Sequence, residues 1–222
     1  MTEPRRVLLL GATGLVGREC LRRLLADRTV VGVTVLARRA PPPELSSAVG
    51  EERVRWQVAD FERLAAYASC FGVDQLICAL GTTMRQAGSK ARFRRVDLDY
   101  PLEAAELARA AGARHLLLVS ALGASRRSPI FYNRIKGELE AAVLALPFRS
   151  VTIARPSVLL GRRTDRRLGE SIAQRLGFLA PARYRPIQAS VVASVLVRAA
   201  RIDLPGPRIL ESEALQSVAD GP

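Results

Sequence analysis

The sequence predicts a single-domain α/β protein in which helices cover both faces of a mainly parallel sheet. Three observations support this. The chain has 222 residues, which is enough for one sizeable core. Wholly apolar runs alternate with segments of helical spacing. A glycine-rich turn directly follows the first apolar run. Strands that are apolar throughout indicate a sheet buried on both faces, because a sheet with one wet face would alternate apolar and polar residues.

The predicted elements follow one another in a regular order over the first 154 residues. The first apolar run is a buried strand, and the segment after it has apolar residues three and four apart, as in a helix. Three consecutive prolines, Pro41 to Pro43, mark a loop after the second strand. Strands are predicted over residues 5–10, 30–37, 54–58, 73–80, 114–120 and 150–154, and helices over residues 14–26, 61–71, 91–111 and 131–146, the third with a break near Pro101.

The pattern loosens after Arg155-Pro156. Helices are predicted over residues 168–179 and 187–200, and a final strand over residues 208–211. This tail is too short for a second domain. We therefore expect one domain over residues 1–222, in which a short C-terminal segment, about residues 156–222, caps the substrate side.

Composition excludes several classes of protein. Hydrophobic residues make up 49% and charged residues 25% of the chain, which excludes whole-chain disorder. No apolar run reaches the roughly 18 residues of a transmembrane helix. The apolar run 7–10 is cut short by Gly11, so it is too short for a secretory signal. These observations predict a soluble, cytoplasmic protein with no membrane partner.

The cysteines and the single histidine argue against a metal site. Cys20, Cys70 and Cys78 are scattered and form no CxxC pair, which disfavours a disulfide framework or a structural zinc site. One histidine, His115, cannot supply a histidine-rich metal site, and it opens an apolar run, so we expect a structural role for it. No metal is predicted.

The net charge of +13 raises the possibility of a nucleic-acid partner. However, Lys90 and Lys136 are the only lysines among the 34 basic residues, and the arginines are spread along the chain without interleaved aromatic residues. Such a bias favours nonspecific adhesion to polyanions at low salt over a specific nucleic-acid site.

The sharpest local signal is the glycine turn, Gly11-Ala12-Thr13-Gly14-Leu15-Val16-Gly17. It follows a predicted strand and opens a predicted helix, which is the context of a dinucleotide-binding turn in a doubly wound Rossmann fold. Gly11 would permit the tight turn, Gly14 would let the backbone approach a diphosphate, and Gly17 would allow close packing of the helix. The diphosphate would then lie at the helix N-terminus, where unpaired N–H groups favour anions.

The end of the second strand favours NADP(H) over NAD(H). Arg38 and Arg39 stand where an NAD site usually has an acid, and guanidinium groups attract a 2′-phosphate. Arginine pairs recur elsewhere in the chain, so the inference depends on the position and on the missing acid. After the third strand, Asp60 could accept from an adenine amino group with Phe61 against the ring, or could simply cap a helix. Both readings stay open.

Further along, Leu80, Gly81 and Thr82 follow the fourth strand and would run beside the cofactor, because Gly81 permits a close approach. Tyr132 and Lys136 are four residues apart on a predicted helix and share a face. With four tyrosines and two lysines in the chain, such a pair rarely arises by chance. Ser120 ends the fifth predicted strand, at the sheet edge where ligands bind in open parallel sheets.

These residues resemble the short-chain dehydrogenase/reductase superfamily, in its atypical branch, and are similar to the Tat-interactive-protein-like oxidoreductases. The resemblance covers nearly the whole chain. Besides the glycine turn, it rests on the stretches Ala79-Leu80-Gly81-Thr82-Thr83, Val96-Asp97-Leu98-Asp99-Tyr100, Tyr132-Asn133-Arg134-Ile135-Lys136-Gly137-Glu138 and Arg155-Pro156-Ser157-Val158-Leu159-Leu160.

The resemblance implies that Tyr132 is a general acid that protonates a carbonyl oxygen. A free tyrosine ionises near pH 10, so Lys136 would assist it with its charge while holding the nicotinamide ribose. Ser120 would hold the substrate oxygen. Because Ala121 stands where relatives often have a second serine, Ser125 is an alternative to Ser120.

We therefore expect an NADPH-dependent oxidoreductase that reduces a carbonyl of a small molecule, as a monomer or homodimer. The alternatives are an NADPH-binding sensor or scaffold with little turnover, and an isomerase or epimerase that uses the cofactor transiently. Arginines cluster in the segment 161–186 and could favour an anionic substrate, although the overall bias weakens that reading: Arg162, Arg163, Arg166, Arg167 and Arg175.

Overall fold

The computed structural model describes residues 3–49, 52–161 and 181–219. Its main sheet has seven strands in the order β3-β2-β1-β4-β5-β6-β9, and every pairing in it is parallel. The strands are β1 (Arg5–Leu10), β2 (Val30–Ala37), β3 (Val54–Val58), β4 (Gln75–Cys78), β5 (His115–Val119), β6 (Ser150–Arg155) and β9 (Gly206–Glu211). Two short strands, β7 (Leu159–Leu160) and β8 (Ile187–Gln188), form a separate parallel pair.

Helices connect the strands. The α-helices are α1 (Leu15–Ala26), α2 (Ser46–Val49), α3 (Met84–Ala87), α4 (Lys90–Arg94), α5 (Tyr100–Ala110), α6 (Phe131–Leu144), α7 (Ala189–Ile202) and α8 (Ser212–Ala219). Tighter 3₁₀ turns cover Pro43–Leu45, Phe61–Cys70 and Ala182–Tyr184, and a π-helix covers Arg95–Asp99. This is the predicted Rossmann-like α/β fold.

Successive residues of the central strands enter two different cores. Leu8 and Leu10 of β1 belong to the core beneath α5 and α6, whereas Val7 and Leu9 belong to the core beneath α1 and α7. Because both faces are covered, these strands have no wet face, and this explains their wholly apolar sequence.

Two predicted helices differ in the structure. The segment predicted as a helix over residues 61–71 is a 3₁₀ helix with non-helical backbone angles at Arg63 and Tyr67. Its core-facing residues recur every third position, which matches the three-residue turn of a 3₁₀ helix: Phe61, Leu64, Tyr67 and Cys70. The helix predicted from residue 187 begins at Ala189, because Ile187 and Gln188 pair with β7. The helix predicted over residues 168–179 lies outside the described residues.

The break expected near Pro101 is a π-helical turn rather than an interruption. Helix runs from α4 through Arg95–Asp99 into α5. Proline has no N–H, so the ordinary bond from position 101 to the carbonyl of Asp97 cannot form, and a wider turn accommodates the defect. Asp97 therefore lies in an irregular turn of an otherwise continuous helical segment.

The C-terminal tail both leaves the sheet and returns to it. After β6, residues 156–161 include β7, and the chain comes back through β8 and α7 to β9, which pairs with β6. The predicted final strand is confirmed and begins earlier, at Gly206. Since β9 belongs to the main sheet, the part of the described tail that can cap a site is confined to residues 156–161 and 181–188.

The amino ends of the strands hold a buried histidine. His115 is 1% exposed; its Nδ1 lies 2.8 Å from Asp203 Oδ1, and its Nε2 lies 3.0 Å from Thr152 Oγ1. The other oxygen of Asp203 pairs with Arg149 at 3.0 Å. Burial lowers the pKa of His115 to about 4, even though Asp203 opposes that shift. His115 is therefore a neutral core residue.

Candidate functional site

A cavity of about 630 Å³ opens at the carboxyl ends of the parallel strands. It begins at the glycine turn and extends past the ends of β4 and β5 to the segment after β6. Its lining includes Gly14, Leu15, Val16, Leu80, Gly81, Thr82, Asp97, Ser120, Tyr132 and Lys136, together with a set of apolar residues from positions 119–122 and 156–160.

The three glycines of the turn do different things. A Cβ atom at Gly11, whose φ is +80°, would lie 2.4 Å from the carbonyl oxygen of Ala79, and one at Gly17 would lie 2.1 Å from that of Gly11. Both glycines are therefore required for the turn to pack. A Cβ at Gly14 would meet only Gly11 O, at 3.2 Å, and Gly14 lines the cavity. Gly14 is therefore the glycine whose missing side chain leaves room for a ligand.

The N-terminus of α1 has the features of an anion site. Its N-cap is Gly14, which offers no side-chain cap, and its first turn contains no acidic residue. The first N–H groups and the positive end of the helix dipole are therefore left without a negative partner from their own turn. Ala12 is buried and Thr13 is exposed beside this turn.

Lys136 is held by a carboxylate that the sequence analysis did not single out. Its Nζ lies 2.8 Å from Oδ1 of Asp97, which is completely buried, and Asp97 Oδ2 accepts the backbone N–H of Thr82 at 2.8 Å. Burial is the largest single effect and disfavours the charged ammonium, but the charge and hydrogen bond of Asp97, together with the neighbouring Tyr132 and Cys78, outweigh it and raise the pKa of Lys136 above its ordinary value. The lysine is therefore a fixed cation beside the cavity.

Tyr132 precedes Lys136 by one helical turn and also lines the cavity. Its ring packs against that of Phe93, with 5.6 Å between centroids, and this contact fixes the ring from the core side. Tyr132 and Lys136 thus share a face of α6, as their four-residue spacing predicts. Both side chains line the same cavity.

Ser120 lies in the cavity, but its hydroxyl is already engaged. It donates to Oε1 of Glu140 at 2.5 Å, and Glu140 is buried. Arg155 binds Glu140 through Nε at 3.0 Å and Nη2 at 2.5 Å, and reaches Oε1 of Glu211 through Nη1 at 2.7 Å. These carboxylates raise the pKa of Arg155. Ser120 therefore presents oxygen lone pairs, rather than its proton, to a ligand.

Ser125 does not line the cavity. Its hydroxyl accepts the N–H of Arg127 at 3.2 Å, and its own N–H donates to the carbonyl of Asn133 at 3.0 Å. The loop at Ser125 packs so closely on α6 that a Cβ at Gly137 would lie 2.2 Å from its carbonyl carbon. Of the two serines, Ser120 is the one at the cavity.

The residues expected around an adenosine lie at the same sheet edge but outside the cavity lining. Arg38 and Arg39 are exposed directly after β2, and the carbonyl of Arg39 accepts from Trp56 Nε1 at 3.0 Å. Asp60 accepts the N–H of Glu62 at 3.0 Å, so the capping role is present.

The side chain of Phe61 lies in the core and not at the edge of the sheet where it was expected to contact an adenine ring. It is 4% exposed and its ring packs edge-on against Tyr100, with 5.6 Å between centroids. The ring belongs to the core, so the contact expected between it and an adenine ring is not supported.

The arginines at positions 162–175 lie outside the described residues, so the anionic substrate they suggested has no support in the described lining.

Sequence comparisons place these features among known proteins. The profile of a family described as NAD(P)H-binding matches residues 11–201. The protein HTATIP2 of Rattus norvegicus is 38% identical over 218 residues, which is 98% of this chain and 88% of that protein. The protein fmp52, mitochondrial, of Emericella nidulans is 35% identical over 175 residues, which is 76% of this chain and 72% of that protein.

Structural comparisons support the fold alone, since the identities are low. The Bordetella bronchiseptica enzyme WbmG in complex with NAD matches with a TM-score of 0.70 and 13% identity over 98% of this chain and 77% of that one. A double mutant of DesIV, a dTDP-glucose 4,6-dehydratase from Streptomyces venezuelae, matches with a TM-score of 0.73 and 17% identity over 92% of this chain and 74% of that one.

The expectation of a cytoplasmic location is wrong by these comparisons. The fungal relatives, including that of Emericella nidulans and one of Candida albicans that is 32% identical over 200 residues, are named as mitochondrial. Separately, none of the helices in the described ranges is long and apolar enough to cross a bilayer.

Proposed function

The chain belongs to the NAD(P)H-binding family, as an atypical short-chain dehydrogenase/reductase with a Rossmann fold, and from that premise we propose that it is an NADPH-dependent reductase of a small-molecule carbonyl compound. One observation carries the proposal. Tyr132 and the buried Lys136–Asp97 pair meet in a cavity whose other end is the glycine turn. A proton donor, a fixed cation and a diphosphate site within one cavity are what hydride transfer to a carbonyl requires.

The residues present fit a dinucleotide. The open side of Gly14 and the uncapped N-terminus of α1 would hold the diphosphate. Lys136 would bind the ribose next to the nicotinamide, and Leu80, Gly81 and Thr82 would run along it. When bound, the dinucleotide supplies the hydride.

The side chains would then deal with the charge that develops on the substrate. Negative charge grows on the carbonyl oxygen as its carbon accepts the hydride, and the Tyr132 hydroxyl transfers its proton to that oxygen. The phenolate that remains is stabilised by the ammonium of Lys136 until it regains a proton from water. Asp97 keeps the ammonium in position, so it acts as a positioning residue.

We also propose that NADPH is preferred over NADH, because Arg38 and Arg39 follow β2 and the acid of an NAD site is missing. The substitution Arg38→Ala should lower the ratio of the NADPH affinity to the NADH affinity by about tenfold or more, which is the scale of a charge-assisted contact. Titration with both dinucleotides, followed by the fluorescence of Trp56, measures it. Arg109→Ala, at an arginine of α5 away from β2, is the control. Equal affinities of the unaltered protein for both dinucleotides would contradict this assignment.

A second candidate function is an NADPH-binding sensor with little turnover. The engagement of Ser120 by Glu140 favours it, because a hydroxyl that donates to a carboxylate cannot also donate to a substrate carbonyl. Ala121 adds no second donor at this position.

NADPH consumption against a panel of aldehydes, ketones and quinones separates the two candidates. For any reduced substrate, Tyr132→Phe should lower kcat by about a hundredfold or more while leaving the NADPH Kd and the melting temperature unchanged, because only the proton donor is removed. Wild-type turnover by Tyr132→Phe would show the catalytic assignment to be wrong. Tight NADPH binding without turnover of any compound would favour the sensor.

A further inference from the structure

The cavity has an apolar wall besides the glycine turn and the Lys136–Asp97 pair, and this wall bears on what the protein reduces. We infer that the substrate is an uncharged, largely apolar carbonyl compound whose one polar atom contacts Tyr132. That this ligand is a substrate rests on the proposed reductase function. That the ligand is uncharged and apolar rests on the cavity lining alone.

This wall of the cavity is built from apolar side chains. They come from the segment after β5 and the segment after β6: Ala121, Leu122, Pro156, Val158, Leu159 and Leu160. Val158 is 58% exposed, and Tyr184, which also lines the cavity, is 49% exposed. Large apolar side chains exposed together in a concave site mark a surface that an apolar ligand would cover.

This wall is held in place by its own hydrogen bonds. The N–H of Ile187 donates to the carbonyl of Val158 at 2.9 Å, and β7 pairs with β8. The backbone that carries Val158, Leu159 and Leu160 is therefore held by hydrogen bonds to the segment at β8.

Several polar groups of the described lining already bind protein partners. Ser120 donates to Glu140, and the hydroxyl of Ser157 donates to the carbonyl of Arg185. Asp97 is taken by Lys136 and by the N–H of Thr82. Three hydroxyls of the described lining, those of Thr82, Tyr132 and Tyr184, have no such partner. That of Tyr132 lies one helical turn before the Lys136–Asp97 pair, so we expect the polar atom of the ligand there.

The charges of the described lining residues also favour an uncharged ligand. Lys136 is the one cation among the described lining residues, and Asp97 neutralises it. Arg183 stacks on the ring of Tyr184, with 4.6 Å from its guanidinium carbon to the ring centroid, and is outside the lining. Within the described part of the lining, a carboxylate or phosphate on the substrate would thus lose its hydration and meet only a lysine that already pairs with Asp97.

The cavity wall can be tested without turnover. The uncharged fluorophore N-phenyl-1-naphthylamine is titrated into the full chain saturated with NADPH, and into Val158→Asp and Val31→Asp. Val31 is the matched control, since it is a valine of similar exposure, 51%, that does not line the cavity. We expect at least about tenfold weaker binding for Val158→Asp and no change for Val31→Asp. Equal affinities in the two variants would overturn the inference.

Turnover then tests the substrate class. Butanal, pentanal and hexanal are compared with 6-oxohexanoate, a carboxylated analogue of hexanal. We expect kcat/KM to rise about fourfold per methylene along the series, and to be at least about tenfold lower for the carboxylated aldehyde. An equal or higher value for 6-oxohexanoate would overturn the inference. Val158-dependent binding of the fluorophore without reduction of any aldehyde would support the apolar cavity and contradict the reductase proposal.

Discussion

Two pairs, each of a buried nitrogen base and a carboxylate, lie at opposite edges of the same sheet. Lys136–Asp97 lies at the carboxyl ends of the strands, and His115–Asp203 lies at their amino ends, each with 2.8 Å between the paired atoms. The first pair borders a cavity and the second is closed in by Thr152 and Arg149. The same kind of pair thus faces a cavity at one edge and packed protein at the other.

The comparison teaches that burial and pairing alone do not identify a site. What distinguishes the pairs is the open space beside them and the charge state that each environment favours. Asp97 raises the pKa of Lys136 and keeps it charged next to the cavity, whereas burial lowers the pKa of His115 to about 4 and keeps it neutral. The two edges should therefore respond differently to substitution and oppositely to pH.

The largest effect is expected at the carboxyl edge, from Lys136→Ala. Removing the ammonium leaves Asp97 buried and unpaired, which should lower the free energy of unfolding by about 3–5 kcal/mol, and NADPH affinity and turnover should fall with it. Chemical denaturation and cofactor titration measure these changes. The double variant Lys136→Met/Asp97→Asn should regain stability without regaining turnover. If it regained both, the pair would be structural, like the one at the other edge.

The second largest effect is expected from replacing a glycine at the carboxyl edge, compared with replacing one at the amino edge. Gly14→Val should weaken NADPH binding about a hundredfold or more, because the branched side chain fills the space left for a diphosphate and displaces its hydrogen bonds. Gly72→Val is the control at the amino edge, since a Cβ there meets nothing within 4 Å. Both variants should keep the wild-type far-UV circular dichroism. Normal NADPH binding by Gly14→Val would mean that the diphosphate binds elsewhere.

The effect that is smallest at neutral pH belongs to the amino edge and grows as the pH falls. His115 is neutral in the fold, whereas the unfolded chain takes up a proton at the ordinary pKa of 6.5. The contribution of His115 to stability is therefore complete above pH 6.5 and is lost as the pH falls towards about 4, with a slope of at most about 1.4 kcal/mol per pH unit. Urea denaturation between pH 4.5 and 7 measures it.

The variant His115→Asn tests the source of that slope. It should reduce the slope in this range and leave NADPH affinity at pH 7 unchanged, because His115 does not line the cavity. An unchanged slope would assign the acid sensitivity to other groups. The Lys136–Asp97 pair should behave in the opposite sense, because its raised lysine pKa means that stability is lost only as the pH rises above the ordinary value of 10.5.

The same two edges show how far sequence could predict this molecule. The strands and the glycine turn were predictable because their signals are local: a strand covered on both faces must be apolar, and the turn needs only seven adjacent residues. Tyr132 and Lys136 were predictable for the same reason, since one helical turn joins them. The amino-edge role of His115 followed from its apolar neighbours.

The partners of these residues were not predictable. Asp97 reaches Lys136, and Glu140 reaches Ser120 across 20 residues, only because separate elements pack together. Neither acid stands in a pattern that marks it as buried. The segment 61–71 was predicted as an α-helix and is a 3₁₀ helix. Over only ten residues, apolar positions that recur every three residues are hard to distinguish from apolar positions that recur every 3.6 residues. The strand at Ile187 depends on pairing with a segment near residue 160.

The return of the chain to the sheet at β9 has a consequence for how this fold can diversify. Residues 156–188 leave from the end of β6 and come back through α7 to the strand that pairs with β6, so both ends of this excursion are anchored to the main sheet. The entropy lost in closing such an excursion grows only with the logarithm of its length, by about 0.6 kcal/mol per doubling. A change in the length of the chain between β7 and β8 should therefore cost little free energy of folding, so the cavity wall can vary there while the carboxyl edge of the sheet stays the same.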